Sequence, residues 1–256
     1  MLFDTHLHTK FSADSEMLIK DAISQAKKEN IGLVLTEHLD YDFPGDDIYE
    51  FNPQQYFNEY SMYRCDTLYL GVEVGMQENT FIQSKKFVES APFDQVICSL
   101  HVLNNKDLFY ENCYTEDKHT VYLNYLNTMI KLIKQHDFAD VLGHIDYICR
   151  YATYTQKDII YEEFQNSIDT LWKTIIDKNI IPELNTRRFN NSNNIPSLLK
   201  LYERYAELGG KYVTIGSDAH KPENIGFAFK KAYDILDSLN LQAVYFVNRQ
   251  MQLSKI

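Results

Sequence analysis

Short apolar segments rich in β-branched residues alternate with longer amphipathic segments along the whole chain. This alternation is typical of parallel strands that are joined by helices. The seven predicted strands are residues 1–6, 31–36, 68–74, 95–99, 140–144, 180–185 and 212–217. The seven predicted helices are residues 15–29, 53–63, 79–89, 121–136, 158–179, 196–208 and 227–239. The sequence therefore predicts an α/β fold with a parallel sheet.

Length and composition favour a single domain. The chain has 256 residues, of which 45% are hydrophobic, and α/β barrels of this length commonly form around one core. No linker, repeat or low-complexity segment interrupts the series of strands and helices. Two helix boundaries carry clear signals, because Asn52 precedes Pro53 at a helix start and Gly209 with Gly210 ends a later helix. We therefore expect residues 1–256 to form one domain.

Charge and hydropathy disfavour two classes of partner. The formal net charge is −11, with 36 acidic and 25 basic residues, which disfavours nucleic acid because lysine and arginine must replace counterions there. Only three apolar residues precede Asp4, and no apolar run approaches the ~18 residues that a membrane span needs. The four cysteines have no paired short spacing and are expected to be reduced core thiols. These features predict a cytoplasmic protein without a nucleic-acid or membrane partner.

Two histidines, His6 and His8, follow the first apolar segment at positions i and i+2. Side chains alternate along a strand, so both imidazoles point to the same side and can reach one metal ion. Taken alone, this pair is equally consistent with two unrelated surface histidines.

The positions of the other histidines favour a metal site. Six of the eight lie at or just past the C-terminal end of a predicted strand: His6, His8, His38, His101, His144 and His220. Five acidic residues share this placement: Asp4, Glu37, Glu73, Glu183 and Asp218. Active sites of α/β barrels form at this end, and two long candidate loops, 39–51 and 103–120, follow strands there. Imidazole and carboxylate donors without thiolate suit zinc, manganese or iron at a catalytic site.

Seven short motifs carry most of these residues. They are Asp4-Thr5-His6-Leu7-His8-Thr9, Thr36-Glu37-His38, Gly71-Val72-Glu73, Ser99-Leu100-His101, Gly143-His144-Ile145-Asp146, Glu183-Leu184-Asn185-Thr186 and Gly216-Ser217-Asp218-Ala219-His220. In this order they resemble the polymerase and histidinol phosphatase (PHP) superfamily, and within it the histidinol-phosphatase branch. The resemblance covers essentially the whole chain. It implies a distorted (β/α)7 barrel whose active site lies at the C-terminal mouth, with two to three divalent ions of zinc, manganese and/or iron.

The resemblance also implies which residues hold these ions. The first ion would be bound by His6, His8, Glu73 and Asp218. Glu73 would bridge to a second ion, which is also bound by His101 and His144. The third ion would be bound by Asp14, His38 and His220, although Asp14 has an alternative role as a helix N-cap ahead of Glu16. The residues expected to act in catalysis are Asp218, His220, Glu73 and Arg150.

Four further residues on the strand ends are expected to support the site. Asp4 and Glu37 each neighbour a predicted metal-binding histidine, and a carboxylate commonly accepts the second ring N–H of such a histidine. Glu183 and Asn185 share one face of a strand, where they would serve either this supporting role or substrate contact. The sequence does not decide between these two roles.

A phosphate monoester also needs cationic donors, and the planar guanidinium of arginine suits it best. Arg150 follows the motif that contains His144, while Arg187 and Arg188 follow the strand that contains Glu183. The sequence does not distinguish Arg187 from Arg188 as a phosphate ligand, and the alternative for all three is a solvated surface charge. Candidates for contact with an imidazole substrate in the two long loops are Tyr41, Asp42, Phe109 and Tyr110.

The leading functional hypothesis is hydrolysis of L-histidinol phosphate to L-histidinol and phosphate in histidine biosynthesis, as the resemblance implies. One alternative keeps the site but changes the substrate to another small phosphomonoester, a phosphotyrosyl protein or a nucleotide, because fold alone does not fix function. A second alternative is a non-catalytic metal-binding accessory module. All nine expected ligand positions hold competent residues, which favours an enzyme over this module.

Overall fold

The computed structural model describes residues 1–254 and shows a mixed α/β fold. Its strands are β1 (Phe3–Asp4), β2 (Gly32–Leu39), β3 (Leu68–Gly75), β4 (Val96–Ser99), β5 (Val102–Leu103), β6 (Lys106–Asp107), β7 (Val141–Leu142), β8 (Ile181–Asn185), β9 (Tyr212–Gly216), β10 (Gln242–Val247) and β11 (Gln250–Leu253). Its helices are α1 (Ile19–Glu29), α2 (Pro53–Tyr60), α3 (Phe81–Glu89), α4 (Lys118–Gln135), α5 (Ile148–Tyr151), α6 (Tyr161–Lys178), α7 (Ile195–Glu207) and α8 (Phe229–Ser238). Every predicted strand and helix has a counterpart here, which confirms the predicted fold class.

Seven parallel strands form the curled sheet that positions the site. They are hydrogen-bonded in the order β1-β2-β3-β4-β7-β8-β9. The chain just after β1 then lies along the last of these strands, because Thr5 N donates to Ile215 O at 3.0 Å and Asp218 N donates to His6 O at 2.7 Å. These bonds join the first and last strands, so the C-terminal ends of all seven strands surround one mouth.

A C-terminal hairpin covers the opposite end of the sheet, and the sequence analysis did not predict it. β10 pairs with the start of β9, and β11 returns antiparallel to β10 through Asn248 and Arg249, which both have positive φ. Arg249 N donates to Asp94 O at 2.9 Å, and its guanidinium contacts Asp140. Two apolar side chains of β10, Val244 and Phe246, form a separate small cluster with Ile97, Val141 and Ile181 from other strands. The hairpin therefore closes the N-terminal end of the barrel.

Helix boundaries follow the predicted signals with one informative exception. Asn52 Oδ1 accepts a hydrogen bond from Gln55 N at 3.0 Å, as expected of an N-cap, and Gly209 has a φ of 100° after α7. The first helix was predicted over residues 15–29 but begins only at Ile19. The preceding segment stays irregular because it is tied to the mouth, where Ser15 Oγ donates to His8 O at 3.0 Å.

Most buried apolar side chains form one large cluster between the sheet and the helices, with Trp172 fully buried in it. Cys98 and Cys149 are buried, but Cys65 is exposed, so the expectation of core thiols is wrong for that residue. No helix within residues 1–254 is long and apolar enough to cross a membrane. The assignment of residues 1–256 to one domain stays a prediction.

Candidate metal centre and phosphate site

Parallel pairing of the strands places the predicted donors at one level of the mouth. In the register of β2 and β3, His38 lies opposite Glu73. His101 and His144 follow the ends of β4 and β7, while His6 and His8 alternate along the segment after β1. His220 follows the end of β9, so all six predicted histidines converge, since their strands are neighbours in the ring.

Glu73 is fully buried and lies at the centre of the histidine cluster. Three ring nitrogens face its Oε2 atom: His6 Nε2 at 3.1 Å, His8 Nε2 at 3.5 Å and His38 Nδ1 at 3.1 Å. Two others face its Oε1 atom: His101 Nε2 at 3.3 Å and His144 Nε2 at 3.0 Å. The two oxygens of this carboxylate face two different groups of nitrogens, which is the arrangement that a bridging ligand needs.

Asp218 lies on the other side of the first histidine pair. Its Oδ1 atom is 3.4 Å from His8 Nε2, and its backbone has a φ of 55°, a left-handed conformation that turns the chain sharply after β9. Burial opposes ionisation of Asp218, but Arg150 and Arg187 hold its pKa well below the ordinary value. The side chain is therefore an anion that faces the cluster.

The third predicted group also comes together, at the outer edge of the cluster. Asp14 Oδ2 lies 3.0 Å from His220 Nε2 and 3.7 Å from His38 Nε2. Burial would raise the pKa of Asp14, but the hydrogen bond to His220 and the charge of His38 lower it below the ordinary value. The alternative role of Asp14 as an N-cap is wrong, because the N-cap residue of α1 is Leu18.

The residues present fit divalent metal ions. Donor atoms form several groups whose members lie within 4.8 Å of one another, including His6 with His8 and Asp218, and Glu73 with His101 and His144. His6 Nε2 and His8 Nε2 face each other at 3.1 Å, and Glu73 Oε2 is buried without a hydrogen-bond partner among the described residues. A cation between these nitrogen and oxygen atoms would stabilise their close approach. Nitrogen and oxygen donors without thiolate suit zinc or related ions.

Two carboxylates fix the rings of these histidines, and one of them was missed by the sequence analysis. Glu183 Oε1 lies 2.7 Å from His6 Nδ1, and its Oε2 accepts a hydrogen bond from His144 N at 2.8 Å. Asp40 Oδ1 lies 2.8 Å from His101 Nδ1. Carboxylates in this position orient a metal-binding imidazole. The signal for Asp40 was its position two residues after His38, just past the end of β2, where side chains two apart share a face.

Asp4 and Glu37, which were expected to accept ring N–H groups, have other partners. Asp4 accepts hydrogen bonds from Ser217 N at 2.9 Å, Ser217 Oγ at 2.5 Å and Gly226 N at 3.0 Å. Glu37 accepts from Thr9 N at 2.9 Å and from Ser12 Oγ at 2.8 Å. Glu37 and His38 are adjacent on β2, so their side chains leave opposite faces of the strand. Asp4 is instead held by its hydrogen bonds to Ser217 and Gly226. Both carboxylates hold the loops around the mouth.

The charge state of His101 gives a testable link between metal binding and pH. Burial opposes protonation of His101, but the carboxylates of Asp40 and Glu73 raise its pKa to about 10. The ring is therefore protonated in the metal-free protein at neutral pH, and it must lose a proton when it binds a metal. The raised pKa means that the apparent zinc affinity rises with pH until about pH 10.

We expect zinc binding near neutral pH to release at least one proton per protein molecule. Isothermal titration calorimetry in buffers of different ionisation enthalpy measures this number. Asp40→Asn should reduce the release, because it removes one of the two charges that hold the proton on His101. Binding heats that are the same in every buffer would contradict this prediction.

Arg150 is buried beside the cluster. Its Nη1 atom donates to Asp218 Oδ2 at 2.5 Å, and its guanidinium lies 5.0 Å from the ring centre of Tyr147. The Nε and Nη2 atoms have no hydrogen-bond partner among the described residues. A buried guanidinium with two unpaired donor atoms is suited to an anionic ligand.

The structure distinguishes the two adjacent arginines and gives Asn185 a clear position. Arg187 Nη1 lies 3.2 Å from Asp218 Oδ1, and its side chain is 44% exposed. Arg188 is turned away and pairs with Asp146 at 2.9 Å and with Asp158. These two ion pairs favour Arg187 over Arg188 as the phosphate ligand, and that choice stays a prediction. Asn185 is buried and donates to Glu183 Oε1 at 3.2 Å, which favours support of the site over substrate contact.

Arg188→Gln is expected to destabilise the protein by about 3–5 kcal/mol, because it leaves two carboxylates buried without their cation. Arg187→Gln is the matched control and should cost less than about 1 kcal/mol, since the Arg187 side chain is partly exposed. Denaturant unfolding of the metal-loaded proteins measures both values. Equal losses of stability for the two variants would contradict the assignment.

An open cavity of about 450 Å³ lies above the cluster. Residues from both long loops line it, including Tyr49 from the first and Phe109 and Tyr110 from the second. Tyr41 and Asp42 do not line it, because Tyr41 packs on Phe87 and Asp42 accepts a hydrogen bond from Asn79. The two loops thus form the walls of the mouth, as expected, but only the candidates from the second loop face it.

Comparison with known proteins agrees with this geometry. A protein-family model for the PHP domain matches residues 4–187. The chain belongs to the PHP domain family. This PHP protein is 43% identical to a probable histidinol-phosphatase of Clostridium acetobutylicum over 253 residues, which cover 98% of this chain and 99% of the relative. It is 28% identical to the histidinol-phosphatase of Lactococcus lactis subsp. lactis, over 91% of this chain and 89% of that relative.

A solved structure extends the comparison to the whole PHP fold. The crystal structure of histidinol phosphate phosphatase from Lactococcus lactis, in complex with zinc, L-histidinol and phosphate, matches with a TM-score of 0.92. The two chains are 27% identical, and the match covers 98% of each. The distorted barrel that the sequence motifs implied is therefore confirmed, including the β9 end that carries Asp218 and His220 beyond the matched PHP segment.

Proposed function

We propose that this PHP protein is a metal-dependent histidinol-phosphatase, which hydrolyses L-histidinol phosphate to L-histidinol and phosphate in histidine biosynthesis. The observation that carries the proposal is the arrangement around Glu73, where five imidazoles meet one carboxylate beside the unpaired donors of Arg150. Whole-chain similarity to proteins named histidinol-phosphatase supports the choice of substrate.

The residues that would hold two to three divalent ions, zinc, manganese or iron, are His6, His8, Asp14, His38, Glu73, His101, His144, Asp218 and His220. Bound ions would supply a nucleophilic water at neutral pH and positive charge next to the phosphoryl oxygens. We assign Glu73, Asp218, His220 and Arg150 to the catalytic set. Glu183 and Asp40 fix ring orientations for this set, as their hydrogen bonds indicate.

The cationic side chains would bind the phosphoryl group. Arg150 has two unpaired donor atoms, and Arg187 reaches Asp218 from the exposed side of the mouth. Charge on the phosphoryl oxygens increases towards the transition state, so fixed donors there contribute more to the transition state than to the bound substrate. The substrate is therefore a small phosphate ester that enters through the cavity above the cluster.

We also propose that residues 1–256 form one domain and that the enzyme works in the cytoplasm.

A steady-state screen of the purified, metal-reconstituted protein tests the proposed function. The panel contains L-histidinol phosphate, p-nitrophenyl phosphate, a phosphotyrosyl peptide and a nucleoside monophosphate. We expect kcat/KM for histidinol phosphate to exceed that for every other ester by at least about tenfold, because the remote part of the true substrate contributes binding energy in the transition state. Equal values would leave only a general phosphoesterase, and no turnover of any ester would favour the accessory module.

A further inference from the structure

The second long loop brings one carboxylate close to the metal cluster. In the hairpin of β5 and β6, Asp107 pairs with Val102, the residue that follows His101. Leu108 N donates to His101 O at 3.0 Å, which ties the hairpin to the same strand end. Asp107 and His101 both line the cavity above the cluster.

The carboxylate of Asp107 is held in place but forms no ion pair within residues 1–254. The residue is only 9% exposed, and its Oδ1 atom accepts a hydrogen bond from Phe109 N at 2.8 Å. Cys113 Sγ donates to Asp107 O at 3.1 Å, which holds the backbone in place. No lysine, arginine or histidine of residues 1–254 forms an ion pair with Asp107, and neighbouring Lys106 instead donates to Asn112 O. A buried carboxylate that is not paired with a cationic side chain is costly unless a ligand supplies the positive charge.

The chemistry of the substrate places a cation at this point. In histidinol phosphate, the carbon that carries the ammonium group is bonded directly to the carbon that carries the ester oxygen. A phosphoryl group bound at the cluster therefore keeps the ammonium group close to it, whereas the imidazole extends further outwards. Asp107 lies beside His101 at the inner part of the cavity, and the exposed aromatic rings of Phe109 and Tyr110 lie further out.

We propose that Asp107 binds the ammonium group of the substrate and so determines specificity for an amino alcohol phosphate. This inference rests on the proposed function. The other carboxylates of the cavity are less suited, because Asp40 pairs with His101 and Asp14 with His220. Asp46 and Asp47 are exposed at the outer rim of the first loop.

The test compares two substrates and two enzymes. The second substrate is 3-(imidazol-4-yl)propyl phosphate, which keeps the phosphate and the imidazole but lacks the ammonium group. Asp107→Asn keeps the Oδ1 acceptor for Phe109 N and removes the charge. We expect this variant to lower kcat/KM for histidinol phosphate by roughly tenfold to a hundredfold, which is the factor in affinity that one hydrogen bond to a charged group contributes. The value for the desamino ester should stay unchanged, as should metal content and melting temperature.

Asp177→Asn, an exposed position on α6 that does not line the cavity, is the matched control, and its kcat/KM for both esters should equal that of the wild type. An equal loss on both substrates for Asp107→Asn would mean that Asp107 only supports the loop, and no loss on either would also overturn the proposal. The wild type provides a test that does not depend on folding of the variant, because it should prefer histidinol phosphate to the desamino ester. If the wild type prefers histidinol phosphate and Asp107→Asn keeps the same ratio of kcat/KM values, the role of Asp107 is refuted but the proposed function is not. A wild type without activity on histidinol phosphate would refute the proposed function and this inference together.

Discussion

Glu73→Gln is expected to lower kcat/KM by about a thousandfold or more and to reduce the metal bound per protein molecule. Both oxygens of Glu73 face ring nitrogens, three at Oε2 and two at Oε1, so the substitution removes negative charge from two donor groups at once. Loss of a residue that only orients a ligand typically costs about 10- to 100-fold. The predicted loss for Glu73 lies above that range. Steady-state kinetics with saturating metal, together with elemental analysis of the purified protein, measures both effects.

Glu183→Gln is the matched control for this substitution. Glu183 is also a buried glutamate, but it contacts His6 through Nδ1, on the side of the ring that faces away from Glu73. We expect Glu183→Gln to lower kcat/KM by about 10- to 100-fold and to weaken metal binding to a similar extent. Similar losses for the two variants under saturating metal would show that Glu73 does not act as a bridge.

Arg150→Ala should lower kcat/KM by roughly 2–4 kcal/mol of transition-state stabilisation while metal content stays unchanged. The guanidinium is buried, pairs with Asp218 through one nitrogen and keeps two donor atoms unpaired. Its removal takes away the proposed donors to the phosphoryl oxygens without removing a proposed metal ligand. Arg150→Lys keeps the charge but loses the planar guanidinium, so its decrease in kcat/KM should lie between zero and that of Arg150→Ala. Kinetics with histidinol phosphate and metal analysis of each variant test these expectations.

Arg204→Ala is the control for loss of an arginine that forms an ion pair elsewhere. Arg204 pairs with Asp169 on the helical surface of the barrel, remote from the mouth. Its kcat/KM should equal that of the wild type. Arg150 pairs with Asp218, which is a proposed metal ligand. If Arg150→Ala lost metal as well as activity, the loss of activity would therefore be due to a disturbed Asp218 and not to a missing phosphate ligand.

The sequence predicted the barrel strands well and the ends of the chain less well. Seven apolar segments became the seven strands of the ring, because burial on both faces of a parallel sheet leaves a local signature in each strand. The hairpin of β10 and β11 was not predicted. Its β11 residues are exposed, so this strand lacks an alternating apolar pattern, and its place under the barrel depends on contacts of Arg249 with Asp94 and Asp140.

Which side chains could meet at the mouth was determined by the sequence itself. Parallel strands end at one level, and residues two apart on a strand share a face, so the order of strands was enough to bring His6, His8 and Glu73 together. The partners of these rings were decided only by the tertiary structure. His6 meets Glu183 across 177 residues of sequence, and Arg188 turns to Asp146 and not to the mouth. Such pairs depend on how segments that are distant in sequence pack against one another, and no local pattern in the sequence encodes that packing.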